Sequence, residues 1–214
     1  MADALNRMTI ESFFGFDISP YTSYFRFSPG DCIVREGVQP RYLYYLFSGR
    51  VKITTTLEDG RVSLNFSTAP SFIGELELLD PDRYPNGITA LTWCECYAVD
   101  TVRCRDRILE DPVFLRNLCL MLSRKTIDND RLHMESQGFR LRERLAEFIL
   151  TASSNGIYSI RHTEASQFLG VSYRHLLYVM SDFIKRGYIK KIQGGYVIED
   201  RAALEELSSR CHLI

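Results

Sequence analysis

The 214-residue sequence contains no apolar run approaching the ~18 residues of a membrane span. Its first fifteen residues, MADALNRMTIESFFG, lack the apolar core and small-residue cleavage site of a secretory leader. A cytoplasmic protein without a membrane partner is expected. Low-complexity tracts and long blocks of one charge are missing too, so no disordered tail is predicted. There is no Ser-His-Asp grouping, no phosphate-binding Gly-rich loop and no pair of carboxylates suited to acid–base work, so an enzyme is not expected. No cysteine precedes Cys32, and His133, His162, His175 and His212 show no ligand spacing; neither metal nor haem is predicted. The six cysteines are expected to be reduced and mostly buried.

What is present is an ordinary globular composition, 45% hydrophobic and 25% charged, with a net charge of −1. The charge is unevenly spread. From Phe139 onward 11 Lys and Arg face 8 Asp and Glu, and within 161–191 six basic residues face only Glu164 and Asp182. A polyanion is bound by the local field, so this segment is where one would dock; a merely solvated basic surface is the alternative.

From Phe25 to Val99 the pattern is short and alternating, with CIV, LYYLF, VKITTTL, VSLNFS and CECYAV separated by turn clusters. Evenly spaced short strands predict an antiparallel barrel or roll. Asp59-Gly60 marks the clearest hairpin and predicts a tight two-residue turn. Cys94 and Cys96 fall on one face of a strand, as two small core residues or as a thiol pair with a redox role. After Asp100 the signal becomes helical. Asp111-Pro112 starts a long helix in which Val113, Leu120, Ile127 and Met134 recur every seven residues, while Phe114, Leu118, Met121 and Leu122 lie on another face. Two apolar faces imply two partners, the roll and a second copy of the chain; a helix buried within a monomer is the alternative. Gln137-Gly138 ends it.

The most informative stretch is 163–180. Thr163 is expected to cap a short helix ending at Gly170, and Ser172 to cap a second one. This is helix-turn-helix spacing, with another kind of helical hairpin as the alternative. In the second helix Leu176, Val179, Met180 and Phe183 fall on the core face. Tyr173, Arg174, Leu177 and Tyr178 then face outward, a composition suited to reading a major groove, with Arg174 able to bond guanine O6 and N7. Thr163, His175 and Ser172 join this DNA-binding set, Ser172 at the helix N-terminus where a phosphate is favoured. Two short β runs flanking Gly194-Gly195 form a wing that carries Lys190 and Lys191 toward phosphates.

With these elements in place the chain resembles the cAMP receptor protein/FNR family of bacterial regulators over nearly its full length. The likeness rests on Pro29-Gly30, Glu36-Gly37, Leu43-Tyr44-Tyr45-Leu46, Ser48-Gly49-Arg50-Val51, Asp59-Gly60, Phe72-Ile73-Gly74-Glu75-Leu76 and Gly170-Val171-Ser172. Within the family, residues 170–179 are similar to the reading helix of YeiL-type regulators. The resemblance implies an α+β chain: a cyclic-nucleotide-binding-type β-roll (jelly roll) over 1–110, a dimerisation helix over 111–137, and a winged helix-turn-helix over 138–214. It implies a homodimer on a near-palindromic DNA site, with RNA polymerase and a small-molecule effector as further partners. A sensor dimer acting through protein contacts without DNA is the alternative. The implied effector pocket comprises Ile73, Gly74, Glu75, Leu76, Arg83, Tyr84, Asn129 and Asp130. The family's phosphate-holding Arg-Ser pair falls here at Tyr84-Pro85, so cAMP is not expected as ligand. The FNR branch holds an iron–sulfur centre on N-terminal cysteines that this chain lacks. The reading helix also departs from the family's Arg-Glu-x-x-x-Arg at Tyr173, Arg174 and Tyr178, so a different DNA sequence preference is expected.

Overall fold

The computed structural model describes residues 9–209, without the side chains of 128–137. The chain divides into two compact units, Met1–Thr55 with Phe66–Thr126 and Thr56–Asn65 with Ile127–Ile214.

The roll is built from eight strands: β1 (Thr22–Phe27), β2 (Cys32–Val34), β3 (Tyr42–Ser48), β4 (Arg50–Thr56), β5 (Val62–Thr68), β6 (Ser71–Ile73), β7 (Gly87–Ala90) and β8 (Cys94–Asp100). They form two four-stranded sheets, ordered β1-β8-β3-β6 and β2-β7-β4-β5. In β3 the residues alternate in face yet all but the terminal Ser48 are hydrophobic, because both faces are covered. Tyr44 and Leu46 point between the sheets, with Val51, Ile73, Ile88, Cys94, Cys96 and Ala98. Leu43 and Tyr45 point outward, under Ile10, Phe13, Ile108, Phe114 and Leu118. This double burial makes Leu43-Tyr44-Tyr45-Leu46 an unbroken hydrophobic run. The hairpin after β4 differs from the expected two-residue turn. Only Gly60 adopts positive φ (78°), Gly60 N–H donates to Leu57 O, and Leu57 N–H donates to Arg61 O. Asp59 instead keeps an ordinary φ and accepts from Arg61 N–H at 3.0 Å.

Between β6 and β7 lies α1 (Glu75–Leu79), and after β8 come α2 (Thr101–Leu109) and α3 (Pro112–Gln137). Asp111 starts α3 by accepting from Val113 N–H at 3.0 Å, while its other oxygen accepts from Gly15 N–H at 2.7 Å. The first turns of α3 split as periodicity predicts. Phe114 and Leu118 are fully buried, and Phe114 stacks on Phe14 at 4.8 Å between centroids. Val113, Leu120 and Ile127 are 42%, 41% and 65% exposed.

The second unit contains α4 (Leu141–Ala152), β9 (Ile157–Tyr158), α5 (His162–Phe168), α6 (Tyr173–Lys185), β10 (Ile189–Ile192), β11 (Gly195–Ile198) and α7 (Arg201–Ser208). Leu145, Phe148 and Ile149 of α4 are fully buried, and β10-β11-β9 form a small antiparallel sheet. Gly195 is required there, because a Cβ would lie 2.3 Å from Tyr158 O. Among the described residues no helix is long and apolar enough to cross a membrane.

Candidate functional site

Helix α6 is placed by its buried stripe. Leu176, Val179, Met180 and Phe183 are 0–3% exposed, and each such side chain contributes roughly 1.5–3 kcal/mol of burial. Ser172 caps the helix, its Oγ accepting from His175 N–H at 3.2 Å. The opposite face is left in solvent: Tyr173, Arg174, His175, Leu177 and Tyr178 are all exposed, Tyr178 by 75%. Asp182, the acid of this helix, is tied to Arg142 at 3.0 Å and Arg186 at 3.1 Å, so it does not oppose an incoming polyanion with a free charge. Thr163 is not the cap of α5. The helix starts two residues earlier than expected, with Arg161 as N-cap, and Thr163 sits in the first turn with its carbonyl accepting from Ser166 Oγ. The Arg161 guanidinium instead reaches Glu164, donating from Nε at 2.6 Å.

The wing separates its two lysines. Lys190 and Lys191 are consecutive on β10 and both exposed, so they point to opposite faces of the hairpin. Lys191 pairs across with Tyr196, and Lys190 with Val197. Tyr196 stacks on His162 at 5.6 Å, and Tyr173 lies 6.3 Å from the same imidazole. Lys191 thus stands on the side of the wing that faces α5 and α6. An open groove of about 350 Å³ runs here, lined by Arg161, His162, Thr163, Tyr173 and Gly194-Gly195. In sequence His162 shows only the absence of ligand spacing, and Tyr196 carries no signal that picks it out. Their meeting depends on the pairing of β11 with β9, which no local pattern announces.

In the roll, Ile73, Gly74, Glu75 and Leu76 line a cavity of about 60 Å³ together with Ser67, Asn86 and Lys125. Gly74, at φ 87°, turns the chain into α1, where a Cβ would lie 3.0 Å from Tyr42 O. Glu75 is 7% exposed, and burial raises its carboxyl above the ordinary 4.5, with the Lys125 ammonium pulling the other way. Arg83 and Tyr84 are not among the lining residues. Arg83 sits 4.0 Å from Glu77, and Tyr84 is 61% exposed, packing over Gly37. Asn129 and Asp130 lie among the residues whose side chains are not described, as does Met134. Lys125 was missed in sequence, although it continues the stripe Leu118, Met121, Leu122 at helical spacing. A charged residue at the end of an apolar stripe is a readable signal for a buried polar partner.

Two family models match this chain, a cyclic nucleotide-binding domain over residues 24–111 and a Crp-like helix-turn-helix domain over 143–207. The regulatory protein YeiL of Escherichia coli O157:H7 is 45% identical over 193 residues, 90% of this chain and 88% of that one. The chain belongs to the CRP/FNR family of transcriptional regulators. A CRP-like cAMP-activated global transcriptional regulator of Mycobacterium tuberculosis is 26% identical over 189 residues, 83% of this chain and 84% of that one. In fold, the chain matches the crystal structure of a CRP-family transcriptional regulator from Thermus thermophilus with a TM-score of 0.61 at 22% identity, covering 89% of this chain and all of that one.

Among the described cysteines of this CRP/FNR regulator, Cys94, Cys96 and Cys104 are buried as expected, whereas Cys32 on β2 and Cys119 on α3 are exposed. Cys94 and Cys96 are fully buried, and burial pushes the Cys96 thiol up to about 12 and Cys104 up to about 11. Thiols held protonated in this way are poor nucleophiles and poor metal ligands. Cys94 Sγ donates weakly to Arg50 O at 3.3 Å. Among the described residues no group of three or more His, Cys, Asp or Glu is placed to hold a metal ion.

Proposed function

We propose that this CRP/FNR regulator acts as a homodimer that binds a near-palindromic duplex through α6 and regulates transcription by RNA polymerase. The observation that carries the reading is the solvent-facing Tyr173-Arg174-Leu177-Tyr178 surface on a helix whose other face is fully packed. A helix presented this way fits the major groove, with Arg174 as base reader and Ser172, Lys190 and Lys191 at phosphates. The exposed Val113-Leu120-Ile127 seam supports pairing of two α3 helices, and a small molecule or cellular state acting at the roll biases that pairing. Lys125 supports the coupling: it lines the roll cavity from the helix that carries the seam. Tyr84 and Pro85 offer no anion clamp, so cAMP is not the effector, and calorimetry should show no micromolar affinity for it.

The test is a duplex titration at increasing salt. Binding that weakens linearly on a log–log plot supports the reading, because each neutralised phosphate releases counterions. No binding even at low salt overturns it.

A further inference from the structure

The groove beside the wing has a composition unlike that of the exposed face of α6. It is walled by His162 and Thr163 of α5, by Tyr173 of α6 and by Gly194-Gly195 of the wing. His162 is held in place rather than waving in solvent, stacked on Tyr196 at an interplanar angle of 29° and approached by Tyr173. The charged and titratable groups around it are Lys191 from β10, Tyr196 from β11, Tyr173 from α6, and Arg161 with Glu164 on its own segment. Arg161 and Glu164 neutralise one another in an ion pair. That leaves Lys191, paired across the wing with Tyr196, as the charge acting on His162 from beside the groove, and His162 as the groove's own group able to add a second.

Tyr173 belongs both to this groove and to the outward face of α6, so the groove is continuous with the surface that meets DNA. We propose that the groove is a second DNA-backbone site, in which His162 takes a proton from solvent as a phosphodiester docks between α5 and the wing. This rests on the DNA-binding reading above. Burial, with the Lys191 ammonium beside it, holds the His162 imidazole below its ordinary 6.5, so the free protein carries it neutral at pH 7. A phosphate at hydrogen-bond distance favours the imidazolium and raises that value. Binding is therefore coupled to proton uptake, and affinity rises as pH falls. Each unit by which docking raises the histidine pKa is worth roughly tenfold in affinity per protomer. Lys190, on the other face of the wing, takes no part in this coupling.

The experiment measures binding of a fluorescent random-sequence duplex at fixed salt, from about pH 8 to about pH 6, where an imidazole titrates. Wild-type protein should tighten severalfold or more across this range. His162→Gln should flatten the profile. His162→Arg carries the charge permanently and should bind at about pH 8 as wild type binds at about pH 6. A pH-flat wild type, a slope that survives in His162→Gln, or an Arg variant no tighter than wild type at high pH each overturns this inference alone. Absence of duplex binding by every protein at every pH overturns the DNA-binding reading as well.

Discussion

Arg174 and Glu75 illustrate how one side chain takes its role from its surroundings. Arg174 extends from the solvent face of α6, free of the acid–base pairs that occupy Arg142, Arg161 and Arg186. Its guanidinium is available for a bidentate bond to guanine. Arg174→Ala should therefore cost about 1–3 kcal/mol per half-site and relax preference at one base position. Comparing a selected site with a scrambled one checks this, since loss of a phosphate contact would weaken both alike. Glu75 is the reverse case, a carboxyl taken out of water. Its folded pKa is raised, so the native state keeps the proton to higher pH than the unfolded chain does. Stability falls as pH rises from the unfolded value of 4.5 through the raised one. Glu75→Gln removes that loss. The variant should melt at the same temperature as wild type below pH 4.5 and at a higher temperature near neutrality. A variant less stable at neutral pH would mean that the attraction of Lys125 outweighs desolvation.

At the level of the element, α3 is organised by two stripes. One is anchored under the roll by Phe114 and Leu118. The other, Val113, Leu120 and Ile127, is apolar and exposed. Ile127 is the most exposed of the three, so an acidic residue there meets no folded-state penalty in a lone chain. Between two paired helices it would bury two like charges. Ile127→Glu should therefore give folded monomers by sedimentation with an unchanged melting profile in the roll. A variant that sediments as a full dimer would remove this seam from the interface. The wing makes the complementary point at the tip of a hairpin. Strand alternation allows only one of Lys190 and Lys191 to face α5, so the two single alanine variants should differ. Both should flatten the salt dependence of DNA binding, and only Lys191→Ala should also shift its pH dependence.

For the whole molecule, two-fold pairing along α3 would duplicate α6. Two reading helices that enter successive major grooves on one side of a duplex lie roughly 34 Å apart, about one helical turn of DNA. Selection from a random pool should return inverted half-sites at that spacing. Because Tyr173, Arg174 and Tyr178 stand where the family commonly has Arg-Glu-x-x-x-Arg, the half-site sequence should differ from the usual family site. Single half-sites, or direct repeats, would overturn two-fold docking. The cavity at Gly74-Glu75-Leu76 bears on the same assembly. An effector that fills it would meet both α1, through Glu75 and Leu76, and Lys125 of α3.

Much of this architecture was legible in order along the chain. Period-two runs gave the strands, a seven-residue recurrence gave the long helix with its two faces, and helical phase sorted α6 into core and solvent sides. These are local regularities, written into neighbouring residues by backbone geometry. Ser172 could be recognised as a cap because its partner lies three residues on. What the sequence did not determine depends on pairing between distant segments. Thr163 lost its expected capping role because α5 began two residues earlier, at His162, with Arg161 as N-cap. The Asp59-Gly60 turn relaxed into a longer one with a single left-handed residue. Lys125 reached Glu75, and His162 met Tyr196 and Lys191, only once α3 had packed on the roll and β11 had paired with β9. Contacts between residues tens of positions apart carry no periodic signature. Tertiary packing alone decided which side chains share a cavity, and with it the electrostatics of both candidate sites.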